Sequence, residues 1–183
     1  MNEDKIIFLD FDGVINGFKS LIEDNSVVDR HNALVLKKIL EKTGSKIVTI
    51  SSVRPIKKEC FNKNRYLIEL KKYNIEVYDT LLDYKNDDWE LMVNHYIDHY
   101  KINKFCIIDD EPMRFKNSKN LQDHLVVPVL YQGLRIEHIK AVSDILNGKL
   151  GIYPSYIDVN ETGEELNLRA NKYHSYLIKK RWD

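Results

Sequence analysis

Five short apolar runs, rich in β-branched and aromatic residues, punctuate the chain: Ile6–Leu9, Lys46–Ile50, Ile75–Tyr78, Phe105–Ile108 and Leu125–Leu130. Continuous apolar runs of this length predict strands buried on both faces. Between them the pattern lengthens to a helical period. Trp89, Met92, Val93, Tyr96, Ile97 and Tyr100 recur at i, i+3, i+4 and i+7, which predicts a helix from about Asp87 to Tyr100. Leu34 to Leu40 predicts another, with Gly44 as its stop, and Arg135 to Leu146 a further one. A helix is also expected after Pro55, because proline suits a first helical turn and Phe61, Leu67 and Leu70 supply an apolar face. Strands alternating with helices predict an α/β fold with a parallel sheet and right-handed crossovers.

After Gly148 the pattern changes. Glycines, a proline and no long periodicity read as a linker, followed by a capping box of Thr162 with Glu165 and then Leu166, Ala170, Tyr173 and Leu177 at helical spacing. The expected organisation is therefore one domain over residues 1–147, with 148–183 as a linker and a C-terminal helix docked on it.

Charge narrows the partners. Lys+Arg and Asp+Glu stand at 28 each, so no overall field steers the molecule to nucleic acid or to an anionic membrane, and any such partner must meet a local patch. Lys57, Lys58, Lys63, Arg65, Lys71 and Lys72 form such a patch, which reads first as a solvated face and second as a contact for a nucleic acid backbone. No stretch approaches the ~20 apolar residues of a membrane span. The acidic start MNEDKIIFLD fits neither a signal nor a transit peptide. Cys60 and Cys106 fall far apart within predicted elements, which favours reduced thiols and a cytoplasmic setting.

Ligands of an open parallel sheet bind beyond the carboxyl ends of its strands, so the residues just after each apolar run carry the chemistry. The first run ends in Asp10-Phe11-Asp12-Gly13-Val14, the second in Ser51-Ser52-Val53-Arg54 and the fourth in Asp109-Asp110-Glu111. So many carboxylates at one edge repel each other and pay for desolvation unless a cation sits among them. Oxygen donors without His or Cys select a hard ion, Mg²⁺, which favours substrate phosphate as a further ligand.

These segments, IFLDFDGVIN, IVTISSVR and FCIIDDE, resemble in order the first, second and fourth motifs of the haloacid dehalogenase-like (HAD) superfamily. The Ser-Ser-x-Arg form, the Asp-Asp ending and the later YQGLRIEHIKA are similar to the HAD domains of Swiss Army knife RNA repair proteins, and polynucleotide 3′-phosphatase domains are a related comparison. The resemblance covers about residues 5 to 147. It implies a Rossmann-like fold with a five-stranded parallel sheet and a Mg²⁺-dependent phosphatase. Asp10 would be the nucleophile that forms an aspartyl-phosphate, and Asp12 the acid and base. Asp10, Asp109, Asp110 and the main-chain carbonyl of Asp12 would hold the metal, and Ser51 or Ser52 would bind the phosphoryl oxygens. The third motif departs from the family pattern. A Lys or Arg is wanted at the opening of the helix before the fourth strand, yet Asp88 falls there. Lys85, the nearest basic residue, and Arg54 are the candidates for the transition-state cation.

The segments 16–29 and 84–87 leave no room for a cap domain, so the crevice is expected to be open. An open crevice suits a large phosphorylated substrate, such as a nucleic acid end, that itself excludes water; a compact nucleotide fits if the C-terminal helix covers the site. Each motif has a plainer alternative. Asp-x-Asp-Gly can be a turn, the paired acids and the serines can cap helices, and a lone arginine is usually solvated. His95 and His99 at i, i+4 could bind zinc, but no third ligand is suggested. Two functional alternatives stay open, a catalytically silent module that binds a phosphorylated partner and a phosphotransferase using the same aspartate.

Overall fold

The computed structural model of the protein describes residues 4–17, 27–54, 58–81 and 88–150. Five strands form a single sheet: β1 (Lys5–Leu9), β2 (Lys46–Thr49), β3 (Val77–Thr80), β4 (Lys104–Ile108) and β5 (Leu125–Val126). All pairings are parallel, in the order β3-β2-β1-β4-β5. The first strand is thus central, and the order reverses beside it.

Side chains alternate across β1, and each set seeds its own core. Ile7 and Leu9 pack with helices α1 (Arg30–Thr43), α2 (Arg65–Lys71) and α5 (Ile136–Leu146) on one face. On the other, Ile6 and Phe8 pack with α3 (Trp89–Tyr100), α4 (Lys119–Asp123) and the 3-10 turn Pro112–Phe115. Each such fully buried side chain contributes roughly 1.5–3 kcal/mol over an exposed one, and the result is a Rossmann-like three-layer α/β fold. Among the described residues no helix is long and apolar enough to cross a membrane. Cys60 is exposed, Cys106 buried, and neither is paired.

The element ends differ from expectation for local reasons. Helix α1 begins four residues early, because the Asp29 carboxylate accepts from the amides of His31 and Asn32 at 2.7 and 3.1 Å. The expected helix after Pro55 is two pieces, a 3-10 stretch Lys58–Lys63 and then α2, restarted by Asn64, which accepts from Leu67 N. Strand β3 is displaced two residues from Ile75–Tyr78. Asn74 turns the chain through a left-handed φ of 58°, and the Ile75 amide is spent on Leu70 O. Strand β5 stops at Val126 rather than Leu130; two residues on, Pro128 has no amide to donate to a ladder. The 3-10 turn Pro112–Phe115 and α4 were not foreseen. Residues 1–3, 18–26, 55–57, 82–87 and 151–183 lie outside the described residues, and with them fall Lys85, the Thr162 capping box and the expected C-terminal helix.

Candidate active site

The carboxyl ends of the central strands converge on one acidic cluster. Backbone bonds extend the ladder one residue past β1 and β4, from Asp10 N to Ile108 O at 2.9 Å and from Asp109 N to Val126 O at 3.2 Å. Both carboxylates are therefore set by the sheet and almost wholly buried, at 3% and 0% exposure. Each is pinned through its Oδ1 by a nearby amide, Phe11 N on Asp10 and Glu111 N on Asp109, both at 2.7 Å. Asp110 completes the cluster, and one oxygen from each of the three lies within 4.8 Å of the others. Burial, and then the charge of Asp10, push the Asp109 carboxyl up to about 7 and raise that of Asp110 well above its ordinary value. An all-oxygen donor set in which crowding opposes ionisation fits a hard divalent cation.

The loop after Asp10 is shaped by two residues of the IFLDFDGVIN segment. Gly13 has φ +77°, and a Cβ there would stand 2.4 Å from Asp110 Oδ2, so a side chain would collide with the cluster. Buried Asn16 ties the turn together. Its Oδ1 accepts from Gly13 N at 3.0 Å, and its Nδ2 donates to Asp12 Oδ1 at 2.9 Å and to Val27 O at 3.1 Å. The Tyr66 hydroxyl donates to the same Asp12 oxygen at 2.7 Å, and its ring stacks on Phe11 at 5.0 Å. The Asp12 side chain is not in the three-acid cluster; a metal contact through its main chain would leave the carboxylate for proton transfer.

The second run divides its serines. Ser51 is buried at the end of β2, its Oγ accepting weakly from Val53 N at 3.4 Å, whereas Ser52 is exposed. Arg54 turns to the main chain, donating through Nη1 to Ser51 O at 2.9 Å and through Nε to Leu81 O at 3.2 Å. Its guanidinium lies 4.9 Å from the centre of the Trp89 ring. Among the described residues, the cation paired with the acids is Arg114. Its Nη1 bonds Asp10 Oδ2 at 2.7 Å and Asp109 Oδ2 at 2.9 Å, and its Nε pairs with Glu111 at 2.9 Å. Sequence reasoning missed this residue. The signal nearest to it was Pro112, two residues upstream, whose suitability for a first helical position marks the start of a turn there but not the contact of Arg114 with the acids. His95 and His99 stack on each other, 6.1 Å between ring centres, and join no metal-competent group among the described residues.

Residues 6–139 match the family described as the HAD domain in Swiss Army Knife RNA repair proteins. The chain belongs to this family. The matched span of this HAD domain includes every strand, but for the first residue of β1, and every acid of the cluster. It places the chain in a superfamily of phosphatase-type hydrolases that typically use a divalent metal. The chain has no match among curated proteins or among solved structures.

Proposed function

We propose that the protein is a Mg²⁺-dependent phosphatase that hydrolyses a phosphomonoester through an aspartyl-phosphate on Asp10. The observation that carries this reading is the buried acidic cluster, assembled from loops at the carboxyl edge of a parallel sheet in a HAD domain.

Asp10, Asp109, Asp110 and the main-chain carbonyl of Asp12 would hold the ion, which when bound supplies positive charge to the phosphoryl oxygens. Asp10 attacks phosphorus with one carboxylate oxygen, the ester P–O bond breaks, and Asp12 gives its proton to the leaving oxygen. Asp12 then removes a proton from water, whose oxygen adds to phosphorus and releases Asp10 and inorganic phosphate. Ser51 rather than Ser52 donates to the phosphoryl oxygens, because it is the serine held at the strand end beside Asp10. Nucleic acid ends or nucleotides are the substrate class suggested by the family's RNA repair proteins.

A screen of phosphate release with Mg²⁺, over oligonucleotides with 3′ or 5′ phosphates, nucleotides, phosphopeptides and an aryl phosphate, tests the reading. Release that Asp10→Asn abolishes is expected. Release within tenfold of wild type in that variant would remove Asp10 as nucleophile, and no release from any substrate would retire the phosphatase.

A further inference from the structure

The helix before β4 is where the family pattern asks for a basic residue, and in this chain that helix opens with Trp89. Two guanidinium groups nevertheless lie over the Trp89 ring, that of Arg54, which is turned to the main chain, at 4.9 Å from its centre and that of Arg114, which reaches the acids from the opposite side of β4 in sequence, at 5.1 Å. We propose that Arg114 is the catalytic cation that binds the transferring phosphoryl group, and that Trp89 is the positioning residue that aims it. This rests on the phosphatase reading above and names a residue that reading leaves unassigned.

Three constraints orient the guanidinium. Pro112 opens the 3-10 turn that carries it, Glu111 holds Nε at 2.9 Å, and the indole supports its face. Nη1 reaches Asp10 Oδ2 at 2.7 Å, so a phosphoryl group joined to Asp10 comes within reach of the same fork. A guanidinium has five N–H donors. Nε and Nη1 account for the three bonds to Glu111, Asp10 and Asp109, and among the described residues neither Nη2 hydrogen has an acceptor. Nη2 shares its carbon with Nη1, which sits on Asp10 and Asp109, so this donor pair lies beside the cluster on a side chain only 17% exposed. A mere counter-ion for two acids needs no second prong, whereas a phosphoryl group takes two parallel N–H bonds from one arginine. Arg114 transfers no atom in either step. It stabilises charge on the equatorial oxygens while bonds to Asp10 form and break.

The test uses the full chain with Mg²⁺, an aryl phosphate as substrate and inorganic phosphate as binding probe. Arg114→Ala is expected to lower kcat by about a hundredfold or more and to weaken inorganic phosphate by about tenfold. Added guanidinium should restore at least tenfold of that activity, and Arg114→Lys should retain only part of it. Trp89→Leu should lower kcat about tenfold with KM little changed, and Arg114→Ala should then cost less in the Trp89→Leu background than in wild type; wild-type kcat, or an equal cost of Arg114→Ala in both backgrounds, removes Trp89 as the positioning residue. Arg114→Ala within threefold of wild type overturns the proposal. So does a folded, inactive Arg114→Ala with unchanged phosphate affinity and no rescue by guanidinium, since that marks a counter-ion only. If Arg114→Ala does not fold, Arg114→Lys carries the same readings, and wild-type kcat and phosphate affinity would overturn the proposal. Wild type that releases no phosphate retires the phosphatase reading alone; the phosphate-binding comparison then still decides for or against Arg114.

Discussion

One oxygen of Asp12 receives two donors, the Tyr66 hydroxyl at 2.7 Å and Asn16 Nδ2 at 2.9 Å, and this decides which way the carboxylate faces. If Asp12 is the acid and base, Tyr66 acts through it as a positioning residue. Tyr66→Phe keeps the stack on Phe11 and removes the donor, so kcat should fall about tenfold with KM little changed, at a stability cost of about 1 kcal/mol. Because the donor acts on a proton-transferring group, the pH profile of kcat should shift too; an unshifted profile with wild-type kcat would sink the role. The contrast with the acids shows what sequence can reveal. Asp10 and Asp109 are legible because strand ends bring them to a predictable edge. Tyr66 and Arg114 are not, since their contacts span 54 and 104 residues and depend on how loops fold over that edge.

At the scale of elements, helix α5 is closed at its start in an unusual way: Arg135 N donates to Nδ1 of His138 at 2.8 Å, in place of a Ser or Asp cap. Burial of that imidazole lowers its pKa to about 4. The unfolded chain takes up this proton near the ordinary imidazole value of 6.5, and the folded protein only near 4. Stability from this group is therefore full above pH 6.5 and is lost as pH falls through the window to 4, by up to roughly 3 kcal/mol. The raised Asp109 carboxyl has the opposite sign, favouring the folded state as pH falls below about 7. His138→Gln keeps an acceptor but does not titrate. Chemical denaturation from pH 7 to 4 should show a shallower acid loss in the variant, and equal slopes would mean that burial does not suppress protonation. Helix α5 itself was legible from Ile139, Val142 and Leu146, as were all five strands from their apolar runs. The ends were not, because they are set by single groups: an Asn in a left-handed turn before β3, a proline after β5, an asparagine restarting α2.

For the whole molecule, the two hydrophobic cores of the described residues lie within 6–146, and the acids, Arg114 and Tyr66 all belong to that body. Between β1 and α1, and again between β3 and α3, the chain is too short to fold a cap domain. Water exclusion must then come from the substrate or from the segment beyond Leu150. If that segment docks away from the carboxyl edge, the chain cut after Leu150 should release phosphate from an aryl phosphate at a rate within severalfold of the full chain. If Leu166, Tyr173 and Leu177, whose spacing predicts a helix, dock on the domain, the cut should also lower thermal stability through lost burial. A cut protein that keeps its melting transition but loses more than tenfold of its activity toward the small substrate would show the segment acting as a lid. In that case an oligonucleotide phosphate, large enough to exclude water itself, should lose much less. Equal losses on the two substrates would instead mean that the segment supports the acidic cluster, and the open-crevice argument for a macromolecular substrate would fail.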